Sequence, residues 1–374
     1  MPIQSDPILS RQVKLESLLN SASLDGLVLN PGPSLIYLTG LHFHLSERPV
    51  VVFFIPGMKP TIVLPELESE KLKHLPFDIQ SFPYGEDPSS WSAVFKVAAN
   101  SANLGGKLLG IEPRQLRYLE HHLLSEAAPS TQFITAESSL ANLRMTKDPG
   151  ELSAIRTAVT IAENALLATL PQIKVGITEL ELASELMLQL FRAGCDPDMP
   201  FSPIVSGGQN SANPHATPSA RQLTPGDLLV IDWGASHDGY ISDITRTFSI
   251  GTMQPEFKKI SLIVLQANQA GRDTAKPGVT ASQVDQAART AISSAGYAKY
   301  FTHRTGHGIG MEAHEDPYIR SGNPLVLQPG MTFTIEPGIY LPGRNGVRIE
   351  DDVAILPDGL ECLTSLPREV RQLV

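Results

Sequence analysis

The chain has 374 residues, of which 42% are hydrophobic and 18% charged, with a formal net charge of −10 at pH 7. This length and apolar content predict two or three domains with hydrophobic cores. The negative charge argues against nucleic-acid or anionic-membrane partners, because both attract basic surfaces. Only two cysteines are present, Cys195 and Cys362, which excludes a disulfide framework and fits a reducing compartment. No signal-peptide pattern and no apolar run near the roughly 18 residues of a membrane span occur, so we expect a cytoplasmic protein.

Residues 1–140 alternate between helical and strand patterns and predict a small α/β domain of their own. A Pro56-Gly57 pair between two apolar runs is typical of a hairpin turn. The elements predicted in this part are, in chain order, a helix over residues 8–19, strands over 24–30, 50–55, 61–64 and 108–111, and a helix over 115–125.

A long helix is predicted to open the second domain, residues 141–374. Asp148 is a suitable N-terminal cap, and Glu151 stands three positions later, as in a capping box. The apolar residues that follow recur with helical spacing. They are Leu152, Ile155, Val159, Ala162 and Leu166.

The second domain contains two copies of one pattern. Residues 225–232 realign without a gap onto residues 329–336, about 104 residues further along the chain. A capping box starts a matching helix in each copy, after Thr178 and after Thr280. A solenoid needs several short repeats, so two long copies indicate a duplicated half-domain instead.

Each copy carries two carboxylates, one at the end of an apolar strand and one at the end of the strand that follows. The four residues are Asp232, Asp243, Glu336 and Glu350. A fold with pseudo-twofold symmetry would bring them together, and four negative charges share a site only when cations lie among them. Solvated strand edges are the alternative, but the recurrence of all four in register after apolar runs argues against it.

His307 lies between the two carboxylate pairs, with Gly306 and Gly308 on either side, and glycines allow close backbone approach. Alternate residues of a strand share a face, so Glu350 is expected to share one with Arg348. Four carboxylates and one imidazole, without a thiolate, favour two divalent ions such as Mn²⁺, Co²⁺ or Zn²⁺ over a structural zinc site. A pair of such ions can activate a bridging water for hydrolysis.

This ligand pattern resembles that of the pita-bread metallopeptidases, which include prolidase (Xaa-Pro dipeptidase), aminopeptidase P and methionine aminopeptidase. The resemblance covers roughly residues 145–370, and the N-terminal part resembles the creatinase-type domain of the proline-specific branch. It implies an α+β fold, with a C-terminal duplicated pita-bread domain and an N-terminal α/β creatinase-type domain. The residues that carry the resemblance are Asp232, Asp243, His307, Glu336 and Glu350.

The resemblance implies a role for each ligand. Asp232 would chelate one metal ion, His307 and Glu336 would hold the other, and Asp243 and Glu350 would bridge both. Glu336 would also be catalytic, carrying a proton from the bridging water to the leaving nitrogen. Mn²⁺ is the expected metal, with Co²⁺ and Zn²⁺ as alternatives. Creatinase shares the fold but lacks these ligands, so an amidinohydrolase is disfavoured.

Three further residues resemble those of the proline-specific branch. His215 would contact the scissile amide, and His314 would stabilise the oxyanion of the tetrahedral intermediate, so both are candidate catalytic and substrate-binding residues. Arg348 is a candidate substrate-binding residue. It either holds the C-terminal carboxylate of the substrate or positions Glu350 or the substrate backbone. Any of the three could instead be a polar residue satisfied by local hydrogen bonds.

Other polar residues are harder to interpret from the sequence. Arg320 is either a specificity residue or a loop charge, whereas His237 and His303 are interpreted as loop or surface histidines. Tyr240 and Thr245 flank Asp243 and are interpreted as supports of the site rather than catalysts.

The predicted function is dimetal-dependent hydrolysis of the bond between an N-terminal residue and proline, foremost in Xaa-Pro dipeptides. An aminopeptidase P acting on longer Xaa-Pro-Yaa peptides is the alternative within the class. Alternatives from other classes are a non-catalytic peptide-binding relative and a dimetal lyase or esterase. The resemblance also implies a homodimer, in which residues 42–48 of one subunit help to close the active site of its partner. An ordinary solvent loop is the alternative for that segment.

Overall fold

The computed structural model describes residues 6–374, which divide into two compact units between Arg144 and Met145. No helix within the described residues is both long and apolar enough to cross a membrane. The first unit is built around one mixed sheet of six strands, in the order β4-β3-β2-β1-β5-β6. Its strands are β1 (Gly26–Leu29), β2 (Val51–Phe54), β3 (Thr61–Pro65), β4 (Gln80–Tyr84), β5 (Leu108–Ile111) and β6 (Gln132–Thr135).

The elements predicted for the first unit are all present. The 50–55 and 61–64 runs form β2 and β3, which pair antiparallel as a hairpin. The predicted 8–19 helix begins at a cap in which the Asp6 carboxylate accepts a hydrogen bond from the Ile8 backbone N–H at 2.8 Å. The helices are α1 (Pro7–Ser21), α2 (Pro33–Thr39), α3 (Trp91–Ser101), α4 (Tyr118–Ala127) and α5 (Glu137–Arg144).

The segment 42–48, predicted either to serve a partner's site or to be a solvent loop, has neither helix nor strand. Its Arg48 forms ion pairs with Glu47 at 2.6 Å and with Glu86 at 2.8 Å. Both partners are exposed acidic residues of the same unit, so these pairs contribute little to stability.

The second unit has four helices and the duplicated topology that the repeat predicted. The capping boxes at Asp148, Thr178 and Thr280 are all formed, with both reciprocal hydrogen bonds in place. The helices are α6 (Pro149–Thr169), α7 (Glu179–Ala193), α8 (Pro255–Thr274) and α9 (Ala281–Ser294). The helices pack in pairs, α6 against α7 and α8 against α9.

The strands of the two halves pair in the same way. In the first half β8 pairs antiparallel with β7 and β11, and in the second β14 pairs antiparallel with β12 and β17. A short antiparallel pair, β9–β10 or β15–β16, follows in each half. The strands of the first half are β7 (Ile204–Gly207), β8 (Leu228–Trp233), β9 (Ser236–His237), β10 (Tyr240–Ile241) and β11 (Ile244–Ile250). The later strands are β12 (Gly306–Gly308), β13 (Glu315–Ile319), β14 (Thr332–Ile335), β15 (Gly338–Tyr340), β16 (Gly346–Arg348), β17 (Asp351–Leu356), β18 (Gly359–Cys362) and β19 (Arg371–Leu373).

The acidic strand ends differ from the sequence expectation in one respect. Strand β10 ends at Ile241 and β11 begins at Ile244, so Asp243 lies in a break between two strands rather than at the end of one. Glu350 lies in the equivalent break between β16 and β17. At each break a backbone N–H donates to a residue of the other half. The Asp243 N–H donates to the Asp352 carboxylate at 2.9 Å, and the Glu350 N–H donates to the Thr245 carbonyl at 3.1 Å. The two breaks therefore join the halves at the centre of the unit.

Candidate active site

A cavity of about 550 Å³ opens in the second unit. The structure brings every residue predicted for the site to its walls, in both halves of the duplicated domain. These are Asp232, Asp243, His307, Glu336, Glu350, His215, His314 and Arg348.

The predicted ligands lie close enough to share metal ions. Ligand atoms of Asp232, Asp243 and Glu350 lie within 4.8 Å of one another, and the same holds for His307, Glu336 and Glu350. The His307 Nε2 atom is 3.5 Å from Glu336 Oε1 and 3.7 Å from Asp243 Oδ2. These two groups of donors share Glu350, and a third group joins Asp243 to His307 and His314.

The pKa values of the carboxyl groups in this cluster indicate that bound cations would stabilise their ionised forms. Burial raises the pKa of the Asp243 and Glu350 carboxyls well above the ordinary range, and neighbouring carboxylates raise both further. Burial also raises the pKa of Glu336 to about 7, against the lowering effect of the Arg348 charge. Divalent ions bound among these groups would lower the pKa of all three carboxyls and keep them ionised.

An unpaired oxygen atom and the charge state of His307 indicate whether metal ions fit this cluster. The Asp232 Oδ1 atom is buried and has no hydrogen-bond partner among the described residues. Burial lowers the pKa of His307 well below its ordinary value, so this imidazole is neutral and can act as a ligand. Oxygen donors with one neutral imidazole suit Mn²⁺, Co²⁺ and Zn²⁺, so the residues present fit a pair of divalent ions.

Glycines position His307 against the adjoining strands. A Cβ atom at Gly306 would lie 1.8 Å from the Thr334 carbonyl oxygen, and one at Gly308 would lie 2.2 Å from the Asp316 carbonyl oxygen. Only glycine fits at either position, as the sequence indicated. The close approach buries His307 to 2% exposure between its neighbours.

Arg348 is buried, and its guanidinium is directed towards protein acceptors. It forms an ion pair with Asp232 at 2.5 Å and donates through Nε to the Thr245 hydroxyl at 2.9 Å. Its Nη1 atom donates to the Pro214 carbonyl at 3.1 Å and to the Tyr340 hydroxyl at 3.0 Å. These contacts favour the interpretation in which Arg348 supports the site over the one in which it binds a substrate carboxylate.

The two predicted catalytic histidines, His215 and His314, are exposed residues that line the cavity. The His314 ring lies edge-on to that of His307, with 4.1 Å between ring centroids, and a ring nitrogen of His314 lies within 4.8 Å of the Asp243 carboxylate. Partial burial lowers the pKa of His314. His215 lies on the cavity wall beside Pro214. Both can therefore reach a ligand that enters the cavity.

His303 lies in a loop, as the sequence interpretation allowed, but it lines the cavity rather than the outer surface. Its Nδ1 atom lies 2.7 Å from the Arg304 carbonyl, and its Nε2 atom lies 2.8 Å from the Tyr340 hydroxyl. Burial lowers its pKa to about 3, so the ring is neutral. Nδ1 then donates to the carbonyl and Nε2 accepts from Tyr340, which itself accepts from Arg348. No local pattern in the sequence pairs His303 with Tyr340, which lies 37 residues away.

The structure also shows where two other arginines, Arg304 and Arg320, lie relative to the cavity. Arg304, which the sequence did not single out, is half-buried and lines the cavity. Arg320 is exposed, and its Nη1 atom donates to the carbonyl of the adjacent Ser321 at 3.2 Å, so it is a loop charge.

Thr245 donates to Glu350 at 2.6 Å and supports the cluster, as expected. Tyr240 donates instead to Glu151, at 2.7 Å.

Comparisons with known proteins agree with this architecture. Residues 153–357 match the model of metallopeptidase family M24, and residues 11–146 match that of the creatinase/prolidase N-terminal domain. The chain is 34% identical over 361 residues to the Xaa-Pro dipeptidase of Lactobacillus delbrueckii subsp. lactis, covering 96% of this chain and 98% of the relative.

Two solved structures show the same fold over nearly the whole chain. A prolidase from Thermococcus sibiricus superposes with a TM-score of 0.92 at 34% identity, covering 99% of this chain and 100% of its own. An X-Pro aminopeptidase from Thermotoga maritima superposes with a TM-score of 0.84 at 31% identity, covering 97% of this chain and 99% of its own. The chain therefore belongs to metallopeptidase family M24, with a creatinase/prolidase N-terminal domain ahead of its pita-bread domain.

Proposed function

We propose that this metallopeptidase hydrolyses the bond between an N-terminal residue and proline, foremost in Xaa-Pro dipeptides. The observation that carries the proposal is the convergence of four carboxylates and one neutral imidazole on a single cavity. An Xaa-Pro bond has no N–H and isomerises slowly between cis and trans, so a general peptidase site suits it poorly. The relative from Lactobacillus delbrueckii, similar along nearly its whole length, is named for this activity.

The metal ligands we propose are Asp232, Asp243, His307, Glu336 and Glu350. Asp243 and Glu350 each lie within reach of donors from both halves, which suits bridging positions. Two divalent ions held here would polarise the scissile carbonyl and lower the pKa of water. We propose Mn²⁺, because the donors are mainly carboxylate oxygens, with Co²⁺ and Zn²⁺ as the alternatives to be compared.

The protein groups around this cluster supply the proton transfers and charge stabilisation. Glu336 takes the proton of the attacking water and returns it to the proline nitrogen, which leaves as a secondary amine. His314 donates to the carbonyl oxygen as negative charge develops there. His215, on the cavity wall, contacts the scissile amide. The apolar side chains of Phe201, Ile204 and Pro214 line the same cavity and offer a surface for the proline ring.

A substrate and metal panel tests this function. The chelated protein should be inactive and should regain turnover of Ala-Pro on addition of Mn²⁺, with slower turnover of Ala-Ala. Full activity in the chelated protein would rule out the metal mechanism. Turnover of Ala-Ala equal to that of Ala-Pro would rule out proline specificity.

Action on longer peptides is the second candidate, because the Thermotoga maritima structure with the same fold is named an X-Pro aminopeptidase. Ala-Pro-Ala in the same panel separates the two. A kcat/KM for Ala-Pro-Ala above that for Ala-Pro would make the protein an aminopeptidase. A non-catalytic relative would turn over neither, although the five donors of the cluster are all present.

We also propose a homodimer in a reducing, cytoplasmic setting. The dimer rests on the resemblance to the proline-specific peptidases, and the setting on two free cysteines, Cys195 and Cys362. Sedimentation at equilibrium checks the assembly. A fully active monomer would contradict it, and a change in activity on Arg48→Gln in the dimer would indicate that the 42–48 segment serves the partner's site.

A further inference from the structure

Arg304 is a cavity residue that forms an ion pair with none of the acidic side chains the structure describes. It lines the same cavity as the carboxylate cluster and is half-buried. Its guanidinium carbon lies 4.6 Å from the centroid of the Tyr318 ring, an arrangement typical of a cation–π contact. Within residues 6–374 it forms no ion pair, although the cavity wall carries four carboxylates.

The other arginine of the cavity differs in this respect. Arg348 is committed to Asp232, Thr245 and other protein acceptors through four hydrogen bonds, and it is only 3% exposed. Four of its five N–H groups are therefore occupied, and Arg348 has no free pair of N–H groups for a two-point contact with a substrate carboxylate. Arg304 can accept a new anionic partner without breaking an existing ion pair.

We propose, on the basis of the proposed Xaa-Pro activity, that Arg304 binds the C-terminal carboxylate of the dipeptide and so favours dipeptides over longer peptides. An Xaa-Pro dipeptide carries this negative charge one residue beyond the scissile bond, close to four carboxylates that repel it. A guanidinium presents a planar pair of N–H donors that matches a carboxylate in two parallel hydrogen bonds. In a longer peptide the same position holds a neutral amide, and the charge-assisted contact is lost.

The surroundings of Arg304 are consistent with this role. The Tyr318 ring covers one face of the guanidinium, which holds its plane while the N–H groups at its edge remain able to donate. Arg304, Glu336 and His314 all line this cavity, so the guanidinium lies in the same space as the groups proposed to act on the substrate. Arg304 and the proposed catalytic residues thus face the same ligand space.

The test compares two substrates that differ only in this charge, Ala-Pro and Ala-Pro-amide. In Arg304→Gln the KM for Ala-Pro should rise about 10- to 100-fold, as expected for loss of a charge-assisted hydrogen bond, with little change in kcat. The KM for Ala-Pro-amide should change little. Arg304→Lys keeps the charge without the planar fork, so its KM for Ala-Pro should lie between those of the wild type and Arg304→Gln.

Variants of neighbouring residues serve as controls. Arg320→Gln removes an exposed arginine outside the cavity and should leave both substrates unaffected. Tyr318→Leu removes the ring beneath the guanidinium and should weaken Ala-Pro binding alone, whereas Tyr318→Phe keeps the ring and should not.

The outcomes separate this role from the proposed function. If the wild type cleaves both substrates and Arg304→Gln and Arg304→Lys impair both equally, or lower kcat alone, Arg304 does not bind the carboxylate. If the wild type cleaves neither substrate, the Xaa-Pro function itself fails and this role with it. Thermal unfolding of each variant distinguishes loss of folding from loss of binding, and the Lys variant provides the answer if the Gln variant is unstable.

Discussion

Thr245 and Glu350 contact each other through both backbone and side chain. The Glu350 N–H donates to the Thr245 carbonyl at 3.1 Å, and the Thr245 hydroxyl donates to Glu350 Oε2 at 2.6 Å. The same hydroxyl accepts from Arg348 at 2.9 Å. One small side chain therefore orients a proposed bridging ligand from the opposite half of the domain and holds the arginine that pairs with Asp232.

Replacing this hydroxyl tests its support of the cluster. Thr245→Val keeps the shape but leaves two buried polar partners without it, which should lower the free energy of unfolding by about 1–3 kcal/mol. Metal affinity should fall about 10- to 100-fold, because Glu350 loses the group that orients it. Metal titration and urea unfolding measure the two effects. The control is Thr160→Val, whose exposed hydroxyl donates only to its own helix at 2.9 Å; equal losses in both variants would contradict the role of Thr245.

Glu336→Gln tests the proposed proton carrier. The amide cannot accept a proton from the attacking water, so kcat should fall about 10²- to 10⁴-fold while the fold is kept. Activity is measured at saturating Mn²⁺ with the metal content determined in parallel, so that lost ligation is not mistaken for lost acid–base chemistry. Glu369→Gln, at an exposed position, is the control. A metal-loaded Glu336→Gln enzyme with near-normal kcat would remove Glu336 from this step.

Gly306→Ala tests whether close backbone approach positions His307. The added methyl would lie 1.8 Å from the Thr334 carbonyl oxygen, so β12 must move away from β14. We expect stability to fall by about 3 kcal/mol and metal affinity to fall with it. Gly85→Ala, where no atom lies within 4 Å of the new methyl, should change stability by less than about 0.5 kcal/mol. Normal metal binding and stability in Gly306→Ala would show that the strand adapts without moving His307.

Lys147→Met tests a buried ion pair next to His314. The Lys147 Nζ atom lies 2.6 Å from Glu315 Oε1, and the two side chains are 1% and 7% exposed. Removing the ammonium leaves a buried carboxylate without this counter-charge, so unfolding free energy should drop by about 3–5 kcal/mol. Lys59→Met is the matched control, because its pair with Asp78 at 2.7 Å is 67% and 79% exposed and should contribute less than about 1 kcal/mol. If the two variants lose similar amounts of unfolding free energy, burial does not increase the contribution of the ion pair to stability.

The sequence predicted those features that depend on residues close together in the chain. The caps at Asp148, Thr178 and Thr280 formed, because a cap involves residues only three positions apart. The duplicated pairing of β8 and β14 followed from two in-register copies, each with its own apolar strand and terminal acid. The four proposed carboxylate ligands stood out for the same reason, whereas His307 stood out by its place between the two carboxylate pairs and the glycines beside it.

Only the tertiary structure decided which polar side chains are already paired. Arg348 and Asp232 lie 116 residues apart in sequence, and His303 and Tyr340 lie 37 residues apart, yet each pair is in direct contact. The local pattern does not show that Arg348 pairs with Asp232 while Arg304 has no ion pair in the described part of the chain, because pairing depends on distance and burial after folding. The sequence by itself thus determined the fold and the family, and it predicted a set of metal donors. The tertiary structure decided which arginine is suited to bind a substrate. A guanidinium that is already paired with a carboxylate of the protein has few N–H groups available for a ligand.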